Sequence, residues 1–438
     1  MAHDAAHNTF RGCDLPGRSC DCVLTLGNPL PHTPHGGALK SGSAVGRLRM
    51  TATFLRIGAT SYGGPAIVAQ IRKVTVHDKG WLTDDEFRES LAFAQMLPGP
   101  IATQTAAHIG WRLHRGAGVL LAMLAYNSPA FLLMLALSAA YFHFERLPLV
   151  HAAFRGLGAA VVGIVVQSIL SMAQPALRNW RGLVIGGLAA WGFFGRANTL
   201  LVLLGAAVGG IVMGAIWPDS PDAGGGPEDI GDGAPPTTKY RRTVLAVCAV
   251  ALVYAAAIVA SRLASPTLPT LGVSMTKINL VAFGGGYTAV AFMYQEAVHN
   301  LAHAWLTPKE FIDGLALGQI TPGPVIITAT FIGYKVGGAL GAVFATVCIF
   351  LPSSLLLVLI APHFARFRHL RVVQSAVGGL LAAFIAMLLH VLAQVAKSAF
   401  IGPWDVVLSV AAVAALRLRV DVVWVVLGAT ALALVFVR

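Results

Sequence analysis

The chain has 438 residues, 56% of them hydrophobic and only 11% charged. A soluble domain carries about 25% charged residues, so this composition excludes a water-soluble globular fold and places most of the chain in lipid. The net charge of +12 does not signal nucleic acid, because the basic residues lie in short loops between apolar runs rather than on one soluble face.

Residues 1–46 form a polar tail holding Cys13, Cys20 and Cys22 with His3, His7, His32 and His35. The expectation is a disordered extension. A metal-binding tail is the alternative, but CDC is not CxxC and the spacing matches no zinc pattern, so no metal site is assigned. The tail lacks the basic, apolar, small-residue order of a secretory signal, and translation starting nearer Met50 would also account for its composition. Residues 47–217 follow as a first unit, with apolar segments near 50–70, 91–111, 116–142, 150–173, 182–195 and 198–217. Residues 218–242 are rich in Pro, Gly and Asp and read as a flexible linker. Residues 243–438 hold one extra apolar segment, 243–261, and then a second unit. Its segments lie near 271–295, 313–334, 337–361, 372–396, 403–418 and 420–437. The expected fold is an all-α polytopic membrane protein with about thirteen transmembrane helices. Cys248 and Cys348 lie in apolar runs, where a small buried hydrophobe is the default.

One stretch occurs twice. Residues 80–100 read GWLTDDEFRESLAFAQMLPGP and residues 304–324 read AWLTPKEFIDGLALGQITPGP. The match extends upstream, where Gly63-Gly64 answers to Gly285-Gly286, and downstream, where Ile109-Gly110 answers to Ile332-Gly333 and Pro129 to Pro352. Pro-Gly-Pro cannot continue a helix, and a broken helix at membrane depth is tolerated only against protein or a water-filled cavity. Duplicated units with matching broken helices are the sequence mark of a secondary transporter and of its substrate site. Six spans per unit plus one extra span would turn the second unit upside down relative to the first.

Loop charges give an orientation. Arg112 and Arg115, Arg178 and Arg181, Arg366, Arg368 and Arg371, and Arg417 and Arg419 fall in loops that are cytoplasmic if the N-terminus is inside and the C-terminus outside. On that plan the loop 72–90 faces outward although it carries Arg72, Lys73 and Lys79.

These residues resemble the chromate ion transporter family in its long, two-domain form. The resemblance rests on Gly63-Gly64-Pro65, Trp81-Leu82-Thr83 with Glu86-Phe87, Gln95, Pro98-Gly99-Pro100 and Ile109-Gly110. In the second unit it rests on Phe283 to Tyr287, Trp305-Leu306-Thr307, Gln319 and Pro322-Gly323-Pro324, and it covers about residues 50–438. It implies export of chromate from the cytoplasm across the inner membrane, driven by the proton motive force and conferring chromate resistance. Sulfate is the look-alike anion, protons and the bilayer are the other partners, and a homodimer is allowed for.

A tetrahedral dianion needs positive potential without tight binding. Helix N-termini offer free N–H groups and about half a positive charge. New helices after Pro100 and Pro324 would present the N–H groups of residues 101–103 and 325–327, with Thr103, Gln104, Thr321 and Thr328 as further donors. The breaks are alternatively kinks that aid packing. The Gly63-Gly64 and Gly285-Gly286 breaks either line the same cavity or allow close helix contact. Arg56, inside the first span, is the leading intramembrane cation; Arg112 and Lys335 read as interfacial. Glu86 and Glu310 fit capping boxes with Thr83 and Thr307. Glu89 and Asp313 are either capping acids or proton carriers. His390 reads as a packed core histidine rather than a relay.

No P-loop, nucleophile triad or metal motif is visible, so neither an enzyme nor a cofactor is expected. The competing readings are an importer or exchanger of sulfate or another oxyanion, and a membrane sensor or scaffold using the Cys/His tail.

Overall fold

The computed structural model describes residues 45–438 apart from 63, 145–147, 196, 218–236, 301–302, 365–369, 419 and 437–438. The Cys/His tail, Gly63 and most of the linker therefore lie outside the described residues. Every regular element among those described is helical. The first unit comprises α1 (Arg47–Thr60), α2 (Gly64–Arg72), α3 (Asp84–Met96), α4 (Ile101–Phe144), α5 (Pro148–Ala176), α6 (Trp180–Phe194) and α7 (Thr199–Ile216). After α8 (Thr237–Ala260) come α9 (Leu268–Val281), α10 (Gly286–Val298), α11 (Pro308–Ile320), α12 (Thr328–Ile360), α13 (Arg371–Ala399), α14 (Pro403–Arg417) and α15 (Val422–Phe436). α1 to α7 answer to α9 to α15 one for one, and α8 has no counterpart. Among the described residues, six stretches are long and apolar enough to cross a membrane: Ile101–Phe144, Phe154–Gln174, Thr199–Ile216, Arg241–Leu263, Val325–His363 and Arg371–Ala399.

Two of the longest helices are hairpins. As one rod, 44 residues would measure about 66 Å, twice the hydrocarbon thickness of a bilayer. The helix geometry of α4 instead fails at His114 and Arg115, and that of α12 at Gly337 and Gly338. Beyond each failure the chain doubles back. A Cβ on Gly110 would stand 2.3 Å from Gly118 O, and one on Gly333 would stand 2.3 Å from Gly341 O. Eight residues of straight helix would separate those pairs by about 12 Å. Glycine at 110, 118, 333 and 341 is what lets the arms touch backbone to backbone.

The Pro-Gly-Pro segments also fold back, which corrects the reading of 91–111 and 313–334 as single broken spans. Glu86 and Glu89 lie near the start of α3, and both bond Arg112 beyond the break, at 2.8 and 2.7 Å. Twenty-odd residues of continuous helix would put them more than about 30 Å apart. Phe93 stacks on His108 further along, with ring centroids 4.5 Å apart. The second unit repeats the pattern: Lys335 reaches Glu310 at 2.5 Å, and Gly314 abuts Phe331. Each motif is thus a helical hairpin with Pro-Gly-Pro at its tip. Loops 72–90 and 112–115 consequently lie at the same end of the hairpin, not on opposite sides as the sequence suggested. Arg72 joins that end too, donating to Asp84 Oδ1 at 2.8 Å; this bond holds the exposed Asp84 carboxyl below its usual range.

The segments 50–70 and 271–295 are likewise bent pairs rather than single spans. Gln70 in α2 hydrogen-bonds Thr60 and Ser61 at 2.9 and 2.8 Å. Ser274 and Lys277 in α9 both bond Glu296 in α10, at 3.0 and 2.5 Å. The two units then interlock. α13 packs on α6 and α7, while α5 packs on α14 and α15. The same close contact recurs across both: Gly379 on Gly210, with Cα 3.1 Å from where the Gly210 Cβ would be, and Gly156 on Ala433, with Cβ 2.4 Å from where the Gly156 Cβ would be. Small residues at these crossings are the packing currency of membrane helices.

Candidate functional site

The four breaks meet at the centre. Gly99 N–H, at the first Pro-Gly-Pro tip, donates to Ala282 O beside the glycine break of the second unit, at 2.7 Å. Gly323 N–H, at the second tip, donates to Ser61 O beside the glycine break of the first unit, at 2.9 Å. Gly99 and Gly323 have φ of +103° and +112°, and Gly284 and Gly285 have +85° and +121°. Side chains are strained in that region, so glycine is needed to turn these tips. A Cβ on Gly285 would stand 3.7 Å from Ile101 Cδ1, and one on Gly286 3.7 Å from Val325 Cβ and 4.0 Å from Ile326 N. The starts of α4, α10 and the turn leading into α12 are therefore neighbours, and helix N-termini carry positive potential.

The structure brings most of the expected residues to this junction. Pro98, Gly99, Pro100, Thr321, Pro322, Gly323 and Pro324 are buried there. Gln104 Nε2 donates to Pro98 O at 3.4 Å and to Ser353 Oγ at 2.6 Å. Thr103 Oγ1 donates to Asn127 Oδ1 at 3.3 Å. Gln319 Oε1 accepts from Tyr287 Oη at 3.4 Å, and its Nε2 has no partner. The hydroxyls of Thr321 and Thr328 turn to Leu317 O and Val325 O of their own turns. The second N-terminus is tighter than expected: Val325–Ile327 is a 3₁₀ turn in which Ile327 N–H is already given to Pro324 O. Gly64 and Pro65 open α2.

Other expected residues lie elsewhere. Arg56 is exposed on the outer face of α1, and Gln95 is exposed on α3, although its counterpart Gln319 is buried. Arg112 and Lys335 close the hairpins through Glu86, Glu89 and Glu310 instead of reaching alone to the interface. Thr83 with Glu86 and Thr307 with Glu310 form reciprocal capping boxes. Glu89 and Asp313, equivalent in sequence, differ in setting. Glu89 is ion-paired, whereas Asp313 is 3% exposed and accepts from Tyr141 Oη at 2.8 Å. His390 packs on Phe194 and bonds Gln394.

Four polar residues of the junction and its hairpins escaped the sequence reading: Asn127, Asn279, Ser353 and Tyr141. Ser353 N–H donates to Asn279 Oδ1 at 2.7 Å. Asn127 and Asn279 are amides within apolar runs, and that was the available signal.

A family model described as chromate transporter matches residues 48–211 and again 269–434. The chain belongs to the chromate transporter family. Among its relatives, the chromate transport protein of Cupriavidus metallidurans is 32% identical over 375 residues, covering 85% of this chain and 88% of the relative. The chromate transport protein of Pseudomonas aeruginosa is 33% identical over 320 residues, 70% of either chain. An uncharacterized transporter of Methanocaldococcus jannaschii is 31% identical over 366 residues, 83% of this chain and 88% of its own length. No solved structure matches. Family and apolar helices together make this chromate transporter family member a multi-pass membrane transporter.

Proposed function

We propose that the protein exports chromate from the cytoplasm across the inner membrane, driven by the proton motive force, and so confers chromate resistance. The observation that carries this reading is the crossed contact of the tips, Gly99 with Ala282 and Gly323 with Ser61. Helix N-termini gathered at such a junction attract an anion without fixing a cation beside it.

The re-entrant hairpins sharpen the topology. A hairpin enters and leaves on one side, so Arg47, Arg49, Arg72, Lys73, Lys79, Arg112 and Arg115 share the side of the N-terminus. That cluster marks the cytoplasmic face and removes the conflict that loop 72–90 posed. The descending arm of α4, then α5, α6 and α7, cross in turn, and α8 crosses once more. The second unit then begins outside, inverted relative to the first, and the C-terminus ends outside.

Proton coupling is assigned to Asp313. It is held by a hydroxyl rather than a cation, so it takes up and gives up a proton without breaking an ion pair. A negative interior already favours outward movement of a dianion, by about 2.3 kcal/mol per charge per 100 mV, and a proton moving inward in exchange adds to that drive. The test is uptake of labelled chromate into everted vesicles with an imposed proton gradient. Uncoupler-sensitive accumulation, only partly competed by sulfate, is expected. Accumulation of sulfate alone, or chromate uptake indifferent to the uncoupler, would refute the reading.

A further inference from the structure

The two Pro-Gly-Pro tips share a backbone but not a lining. A Cβ on Gly99 would stand 2.9 Å from Ser353 Oγ, 3.1 Å from Gln104 Nε2 and 3.3 Å from Asn279 Nδ2. Among the described residues, a Cβ on Gly323 would meet only Ala130 Cβ, at 2.9 Å. Ala130 and Ser353 are equivalent positions, each one residue after the proline inside its hairpin, Pro129 or Pro352. The polar side chains have gathered at one tip.

All three are fully buried, at 0% exposure. Their hydrogen bonds fix the amides. Ser353 N–H can only donate, and it takes Asn279 Oδ1, which turns Asn279 Nδ2 toward the tip. The Pro98 carbonyl can only accept, and it takes Gln104 Nε2, which leaves Gln104 Oε1 over. Asn279 Nδ2 and Gln104 Oε1 have no partner among the described residues. A buried polar atom left unpaired is costly, so one kept at a junction of helix N-termini calls for a partner that is not part of the chain.

We infer that the oxyanion is seated at the first tip alone, against Asn279 Nδ2 and Ser353 Oγ from the second unit and Gln104 from the first; the Ser353 hydroxyl, which donates to Phe350 O at 3.4 Å, turns from that carbonyl to the anion. The inference rests on the transport reading above and names the residues of its site. The donors are neutral, and the N-terminus of α4 adds its potential, so a tetrahedral oxyanion is held without an ion pair that would oppose release. Gln104 Oε1 accepts from a water travelling with the anion or from the hydroxyl of its singly protonated form. Gly99 N–H becomes a further donor whenever it leaves Ala282 O. Because the seat is shared between units, it exists only while the units meet, and parting them at the tip divides it.

The experiment is equilibrium dialysis of labelled chromate against the purified full-length protein in detergent, comparing wild type with Asn279→Asp and Ser353→Ala. Asn279→Asp keeps an acceptor for Ser353 N–H and replaces the free donor with an oxygen. We expect one chromate per wild-type chain and at least about tenfold weaker binding by Asn279→Asp, or about 1.4 kcal/mol. Thermal melting without anion shows whether each variant is folded. Where Asn279→Asp is not, Ser353→Ala carries the test, with binding weakened at least about threefold. Two chromates per chain, or wild-type affinity in every folded variant, overturns the seat and leaves the transport reading standing. Binding of neither chromate nor sulfate by wild type overturns the transport reading, and the seat with it.

Discussion

The first and second Pro-Gly-Pro hairpins are copies whose side chains have parted company. In the first, Arg112 bridges Glu86 and Glu89, and the tip is lined by Gln104, Ser353 and Asn279. In the second, Lys335 holds Glu310 alone, Asp313 turns inward to Tyr141, and the tip meets Ala130. The Arg112 guanidinium bonds both acids of its hairpin, whereas the Lys335 ammonium bonds Glu310 and Asp313 accepts from Tyr141 instead. The lesson is that a duplicated backbone carries two different sets of side chains, and the proposed division of labour, one hairpin for the anion and the other for the proton, rests on that difference.

That comparison breaks most visibly at the glycines. Gly99→Ala and Gly323→Ala each place a side chain at φ beyond +100°, costing about 1–2 kcal/mol of stability. Both should melt lower by similar amounts. Only Gly99→Ala, whose Cβ enters the polar cluster, should reduce chromate uptake to background, as vesicle assays would read.

The next test concerns protons. Asp313→Asn should leave chromate binding near wild type and remove the dependence of efflux on an imposed pH gradient. Glu89→Gln should keep that dependence, because Glu89 is held by Arg112. Gradient response lost in Glu89→Gln and kept in Asp313→Asn would reverse the assignment.

A smaller effect is expected where the hairpins close. Arg112→Ala breaks two half-exposed ion pairs and should cost about 1–2 kcal/mol, while Lys335→Ala breaks one and should cost about 0.5–1 kcal/mol. Melting curves in detergent compare them directly. The smallest effect lies at the turns. Arg115 holds φ +54° where the second unit has Gly338 at +59°. Arg115→Gly relieves that backbone and gives up a cation–π contact of 4.6 Å with Trp111, for a net gain of about 0.5 kcal/mol.

Much of this was legible in the sequence, and the reason is chemical. Pro98-Gly99-Pro100 and Pro322-Gly323-Pro324 announce a break because proline and glycine restrict the backbone itself. The membrane class and the duplication were equally plain from composition and alignment of the halves. What the sequence did not show was the sense of the break. A kinked span and a re-entrant hairpin have the same hydrophobic pattern, and contacts such as Glu86 and Glu89 with Arg112 and Glu310 with Lys335 distinguish them. Asn279 and Ser353 were missed because they are remote in sequence from Gly99 and because the counterpart of Ser353, Ala130, is apolar. Arg56 was favoured as an intramembrane charge, yet helix rotation places it outward, which no local pattern decides.

Re-entrance in opposite senses is the claim on which the rest depends, and cysteine labelling reads it directly. In a cysteine-free background, Asp85→Cys and Gly116→Cys flank the first hairpin, and Lys309→Cys and Gly338→Cys flank the second. With a membrane-impermeant thiol reagent, the first pair should label only from the cytoplasmic side and the second pair only from the outer side. Labelling of residues 85 and 116 from opposite faces would make the Pro-Gly-Pro segment a crossing helix and contradict the account.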